Sequence, residues 1–258
     1  MLLCRIKTAG RFASYCRYHT PRARRSPPVV PERVSLIDSR VGGGKSRSAH
    51  SGAASRGHAV MGNVQAAGGS TPSVNLTADV VAEHTRTYPE VQPFSLVEDE
   101  HRELLPKMFE GGDYGWRDAE WVVQWYGRRF LGGFPNRDRR ALEDAYDDND
   151  YEDVHDAITA AVDADTATEM LAHLTELAGV DVAIGSAFCQ FIDPKNYVVI
   201  DGRQWGILRK AGDLDSDYPD PPTVADYERY LETYRAVAER CECSLWELYR
   251  ALWVLGRD

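Results

Sequence analysis

The chain has 258 residues, 30 basic and 40 acidic, with a formal net charge of −10. That length fits one or two domains. No stretch reaches the roughly 18 consecutive apolar residues of a membrane span and no secretory apolar core is present, so neither a membrane partner nor export is expected.

The charge is unevenly spread. Between Met1 and Val60 there are 12 lysines and arginines against only Glu32 and Asp38, a balance of about +10. Taking these from the totals leaves 18 basic and 38 acidic residues beyond Val60, a balance of about −20. Lysine in this acidic part is confined to Lys107, Lys195 and Lys210, a composition suited to high salt, so a halophilic source is expected. The five cysteines, Cys4, Cys16, Cys189, Cys241 and Cys243, form no disulfide framework and point to a reducing, cytoplasmic compartment. Cys241 and Cys243 stand too close together for the usual paired metal motifs, His84, His101, His155 and His173 show no ligand spacing, and no metal or cofactor is implied.

In chain order, residues 1–74 are rich in Arg, Ser, Gly and Pro without helical or strand periodicity, and a disordered basic tail is expected. Its composition suits an organellar transit peptide, a basic arm for nucleic acid, or an over-long reading whose start is Met61. Residues 75–258 read as one all-α domain. Thr77 opens a helix that Pro89 ends, and Val97 to Phe109 forms a second with Pro106 as a kink or break. Asp113 to Leu131 places Trp116, Val122, Val123, Tyr126 and Phe130 on one wide apolar face before Gly132 and Gly133, which suggests the central packing helix. Helices over Asn136–Tyr146 and Tyr151–Val162 follow. Thr166 with Glu169 makes a capping box for a helix that runs through Leu177 and stops at Gly179. Val182 to Phe191, Asp201 to Lys210, Val224 to Cys241 and Ser244 to Leu255 complete the set.

The stretch from Leu177 to Leu208 carries the chemistry. A helix ends at the tight turn Ala178 to Asp181 and another begins at once, a geometry that aims main-chain N–H groups outward and suits a phosphate. Small residues Gly185, Ser186 and Ala187 would let a neighbouring helix approach closely. The apolar link Tyr197 to Ile200 then ends in Asp201 at a helix start.

Leu177, Gly179-Val180-Asp181, Gly185 to Ala187 and Ile200-Asp201, in that order and spacing, resemble the helix-hairpin-helix DNA glycosylase superfamily of the endonuclease III type. The resemblance covers about 32 residues. It implies binding of double-stranded DNA, with Gly179, Val180, Asp181 and Val182 as the phosphate-binding turn. It also implies flipping of a nucleotide and hydrolysis of the bond between sugar and base, with Asp201 as the catalytic carboxylate facing the developing positive sugar. The plainer reading of Asp201 is a helix cap. Ala183 occupies the position of the family's Schiff-base lysine, so activity would be monofunctional, and Asp181 replaces the second turn glycine, adding a negative charge where a phosphate would sit. One alternative is an inactive helical accessory or interaction module on the same scaffold, and another is a helical protein unrelated to DNA in which the small-residue helix packs for structural reasons alone.

Arg203 follows Asp201 closely enough to pair with it or to meet a phosphate. Arg128, Arg129, Arg137, Arg139 and Arg140 form the dense basic patch of the acidic part, suited to nucleic acid or, with Asp138 and Glu143 interleaved, to a salt-bridged surface.

Overall fold

A computed structural model of the chain describes residues 74–257. The expected tail, the alternative start at Met61, and Cys4 and Cys16 lie outside the described residues. Within them there are ten helices and no strand, in the order α1 (Ala78–Val91), α2 (Ser95–Gly111), α3 (Trp116–Arg128), α4 (Asn136–Tyr146), α5 (Tyr151–Val162), α6 (Ala167–Leu174), α7 (Val182–Ile192), α8 (Gly202–Ala211), α9 (Val224–Arg240) and α10 (Leu245–Leu255).

Local chemistry sets most of the boundaries. Thr77 and Asp181 cap α1 and α7 through their side chains, and reciprocal capping boxes open α6 (Thr166, Glu169), α9 (Thr223, Asp226) and α10 (Ser244, Glu247). Each such cap stabilises its helix by about 1 kcal/mol. Several expected boundaries change, and α3 runs from Trp116 to Arg128 rather than from Asp113 to Leu131. Pro89 lies inside α1 rather than ending it, because a proline one turn from the C-terminus removes a single hydrogen bond and the Gln92 amide still closes onto Tyr88. Pro106 lies within an α2 that continues to Gly111. Helix α6 stops at Leu174, short of Leu177 and Gly179, as the Thr175 hydroxyl bonds back to the Leu171 carbonyl and the chain passes into turns.

The central place belongs to α7 rather than to α3. Every residue from Ala183 to Phe191 is buried, and α7 packs against α2, α3, α6 and α9. The helix has no charged side chain, hence no face to offer water. Gly185 makes the approach to α6 possible, since a Cβ there would stand 2.8 Å from Leu171 Cδ2. The expected close approach of another helix to the small-residue stretch is met by α6. On the other side of the core α1 lies along α10, with Tyr88 edge-on to Trp253.

Buried polar side chains pin the extended link between α7 and α8. Ser186 Oγ accepts from the Ile200 amide (3.0 Å) and Gln190 Oε1 from the Val199 amide (2.8 Å). From α9, Tyr227 and Tyr230 donate to the carbonyls of Val198 and Val199. A non-helical segment inside a core must find such partners, because each orphaned main-chain group costs about 1 to 3 kcal/mol. This link delivers Asp201 to the first turn of α8.

Candidate functional site

Asp201 is the N-cap of α8, and it is 1% exposed. Its Oδ1 accepts from the Gln204 amide at 2.8 Å, while Oδ2 accepts from Gln204 Nε2 at 2.9 Å and from Arg129 Nη1 at 2.7 Å. Tyr234 in turn donates to Gln204 Oε1 (2.9 Å), fixing the amide. The carboxylate therefore has donors on both oxygens, all from the protein.

Arg129 is the C-cap of α3 and is wholly buried. The two charges of the pair each sit at the helix end whose dipole favours them, the cation at a C-terminus and the anion at an N-terminus. Gln92 Nε2 donates to the Arg129 carbonyl at 3.1 Å and holds the end of α3 in place. Arg129 Nε and Nη2 have no acceptor among the described residues, and the guanidinium instead lies 5.1, 5.0 and 4.4 Å from the ring centres of Trp125, Tyr126 and Phe130. Burial alone would favour loss of its proton, but Asp201 above all outweighs this and the pKa is raised. Arg129 was expected among the basic surface contacts; the structure corrects this, because its charge is consumed inside the core.

The expected phosphate-binding turn is fixed by α4 and by the connection that follows it. Gly179 adopts φ +76, and a Cβ there would meet the Tyr146 amide at 2.7 Å and the Leu142 carbonyl at 2.9 Å. The turn is thus seated against the last turn of α4. Asn149 clamps it from the α4–α5 connection, accepting from the Ala178 amide and donating to the Ala178 carbonyl, both at 2.9 Å. The amides of Val180, Ile184 and Gly185 are taken up by Leu177 O, Asp181 Oδ1 and Asp181 O. Those of Gly179, Asp181 and Val182 have no acceptor among the described residues.

The surroundings of the turn are acidic. A groove of about 370 Å³ beside it is lined by Asn149, His173 and the carboxylates of Asp153, Asp156 and Glu176. A like charge at about 4 Å opposes an incoming phosphate by roughly 1 kcal/mol in water and about 4 at an effective dielectric constant of 20. Ala183 is buried, which leaves no room for a lysine at that position.

The arginine patch divides. Arg128 and Arg139 converge on Glu143, at 3.4 and 2.6 Å, as a salt-bridged surface. Arg137 and Arg140 are exposed and make no ion pair among the described residues. Arg203 does not pair with Asp201. Its guanidinium packs 5.1 Å from Phe130 and 5.3 Å from Trp253, passing the glycines Gly133 and Gly256, and burial lowers its pKa.

Sequence reasoning missed a second buried carboxylate. Glu98 of α2 is fully buried and accepts from Tyr88 Oη (2.6 Å) and Trp125 Nε1 (2.7 Å). Burial raises its pKa, partly countered by those two donors and by Arg250 and Arg129. The available signal was its place on the face of α2 that also carries Leu105 and Phe109. No family model, curated protein or solved structure matches the chain.

Proposed function

We propose that the chain is a helical interaction module that does not hydrolyse glycosidic bonds, built on a scaffold resembling the helix-hairpin-helix glycosylases. The single observation that carries this reading is the Asp201–Arg129 pair. A carboxylate that stabilises a developing cation must face the substrate with its charge uncommitted. Asp201 is buried, has donors on both oxygens and is neutralised by a buried arginine. Exposing it would leave Arg129 as an unpaired charge in an aromatic surround, at about 3 to 5 kcal/mol.

The test is a panel of duplex oligonucleotides carrying single damaged or mismatched bases, incubated with the wild-type chain and with Asp201→Asn at low and molar salt. No base should be released by either. Time-dependent release that Asp201→Asn abolishes while retaining its helical circular dichroism would overturn the reading.

Contact with double-stranded DNA is a second reading, favoured by one specific arrangement. The unpaired, exposed Arg137 and Arg140 stand on α4, whose last turn seats Gly179. At 1.5 Å per residue Arg137 and Arg140 lie about 13 and about 9 Å along the helix axis from Tyr146, against which the turn is seated, a span that can reach successive phosphates. Such binding would be non-catalytic and strongly salt-dependent.

A further inference from the structure

A pocket of about 430 Å³ opens between α2 and the turn that follows α7. It is lined by Arg102 and Lys107 on one side and Lys195 on the other, with Pro106, Ile192 and Pro194 as rigid, largely apolar wall. Two of the three lysines beyond Val60 therefore meet at one cavity, on a body where acids outnumber bases by about two to one. None of the three cations makes an ion pair among the described residues. Two acids also line the pocket, Glu103 and Asp193, but Asp193 is committed to its own turn, accepting from the Lys195 amide (3.2 Å) and from Asn196 Nδ2 (2.7 Å).

A second observation is independent of charge. Arg102 Nε is buried without an acceptor, and so is the indole Nε1 of Trp246, the residue over whose ring the Arg102 guanidinium lies at 5.3 Å. The terminal nitrogens of Arg102 are not buried and have no partner among the described residues, and an oxyanion is the acceptor that arginine and lysine favour.

We propose that this pocket binds a small organic anion, a carboxylate or phosphate group on a compact partly apolar body, held by Arg102, Lys107 and Lys195. The volume lies in the usual range for small-molecule sites. The site is distinct from the Asp201 region and holds whether or not the chain meets DNA.

The experiment uses the full chain at constant ionic strength, titrated with succinate, glycerol 3-phosphate and inorganic phosphate in separate arms. Melting temperature and the indole N–H resonance of Trp246, assigned through Trp246→Phe, are followed together. At least one arm should give a saturable shift of both. Lys107→Gln with Lys195→Gln, both exposed and so expected to leave the fold intact, should weaken that arm about tenfold or more. Lys210→Gln, at a residue that does not line the pocket, should change nothing. No response in any arm, a response that grows without saturation in all of them, or an equal loss with Lys210→Gln would each overturn the proposal.

Discussion

Arg129 at the end of α3 and Asp201 at the start of α8 meet at 2.7 Å, 72 residues apart along the chain and wholly out of water. Removing one partner of such a pair strands the other, which is far more damaging than replacing both. Asp201→Asn keeps a capping side chain but loses the charge, and Arg129→Met loses its counterpart. Each single variant should lower unfolding free energy in urea by about 3 to 5 kcal/mol, and the double variant should recover a large part of the loss. Additive losses would show that the pair is not coupled.

The turn at Gly179 offers a sharper geometric test. With φ +76 and the α4 backbone within 3 Å of any added Cβ, Gly179→Ala is strained and crowded at once, against main-chain atoms that cannot rotate away. A loss of more than about 2 kcal/mol is expected. Asn149→Ala, which removes two hydrogen bonds to Ala178, should cost about 1 to 3 kcal/mol in the same assay.

Glu98 makes stability depend on pH. Its folded-state pKa is raised, mainly by burial, so the folded state holds the proton more tightly than the unfolded chain. Its contribution is fully present below the unfolded glutamate value of about 4.3 and is lost as pH rises through the folded value. The groups facing it are Tyr88 from α1, Trp125 and Arg129 from α3, and Arg250 from α10. Glu98→Gln should flatten this dependence, so that the variant gains on the wild type as pH is raised from about 4 toward 8 in urea melts. Parallel curves over that range would refute the assignment.

If duplex DNA is bound through α4, Arg137→Glu with Arg140→Glu should weaken binding uniformly across sequences. The salt slope of the logarithm of affinity should fall by about 2, as two phosphate contacts disappear. Arg139→Gln, whose charge is already spent on Glu143, should change the slope little.

Helix positions were legible where the signal is local. The spans of α4 and α5 and the capping box at Thr166 follow from residues within a turn of one another. That Asp201 and Arg129 are both buried, and paired with each other, could not be read from the sequence. A carboxylate at a helix start looks the same in sequence whether it faces a cleft or a buried guanidinium, because the partner is supplied by another helix. The link at Tyr197 to Ile200 is another case, read as apolar though its backbone is satisfied by Ser186, Gln190, Tyr227 and Tyr230 from two helices.

By itself the sequence determined the helical class, the strongly acidic body, and the caps that start and stop most helices, because propensity, charge and capping act over a few residues. Tertiary structure alone decided that Asp201 is buried against Arg129, that α7 is the central helix, and that Lys107 and Lys195 face one pocket. Those outcomes depend on which distant side chains share a space, and that is set by the packing of whole helices, where burial changes the energy of a charge far more than its neighbours in sequence do.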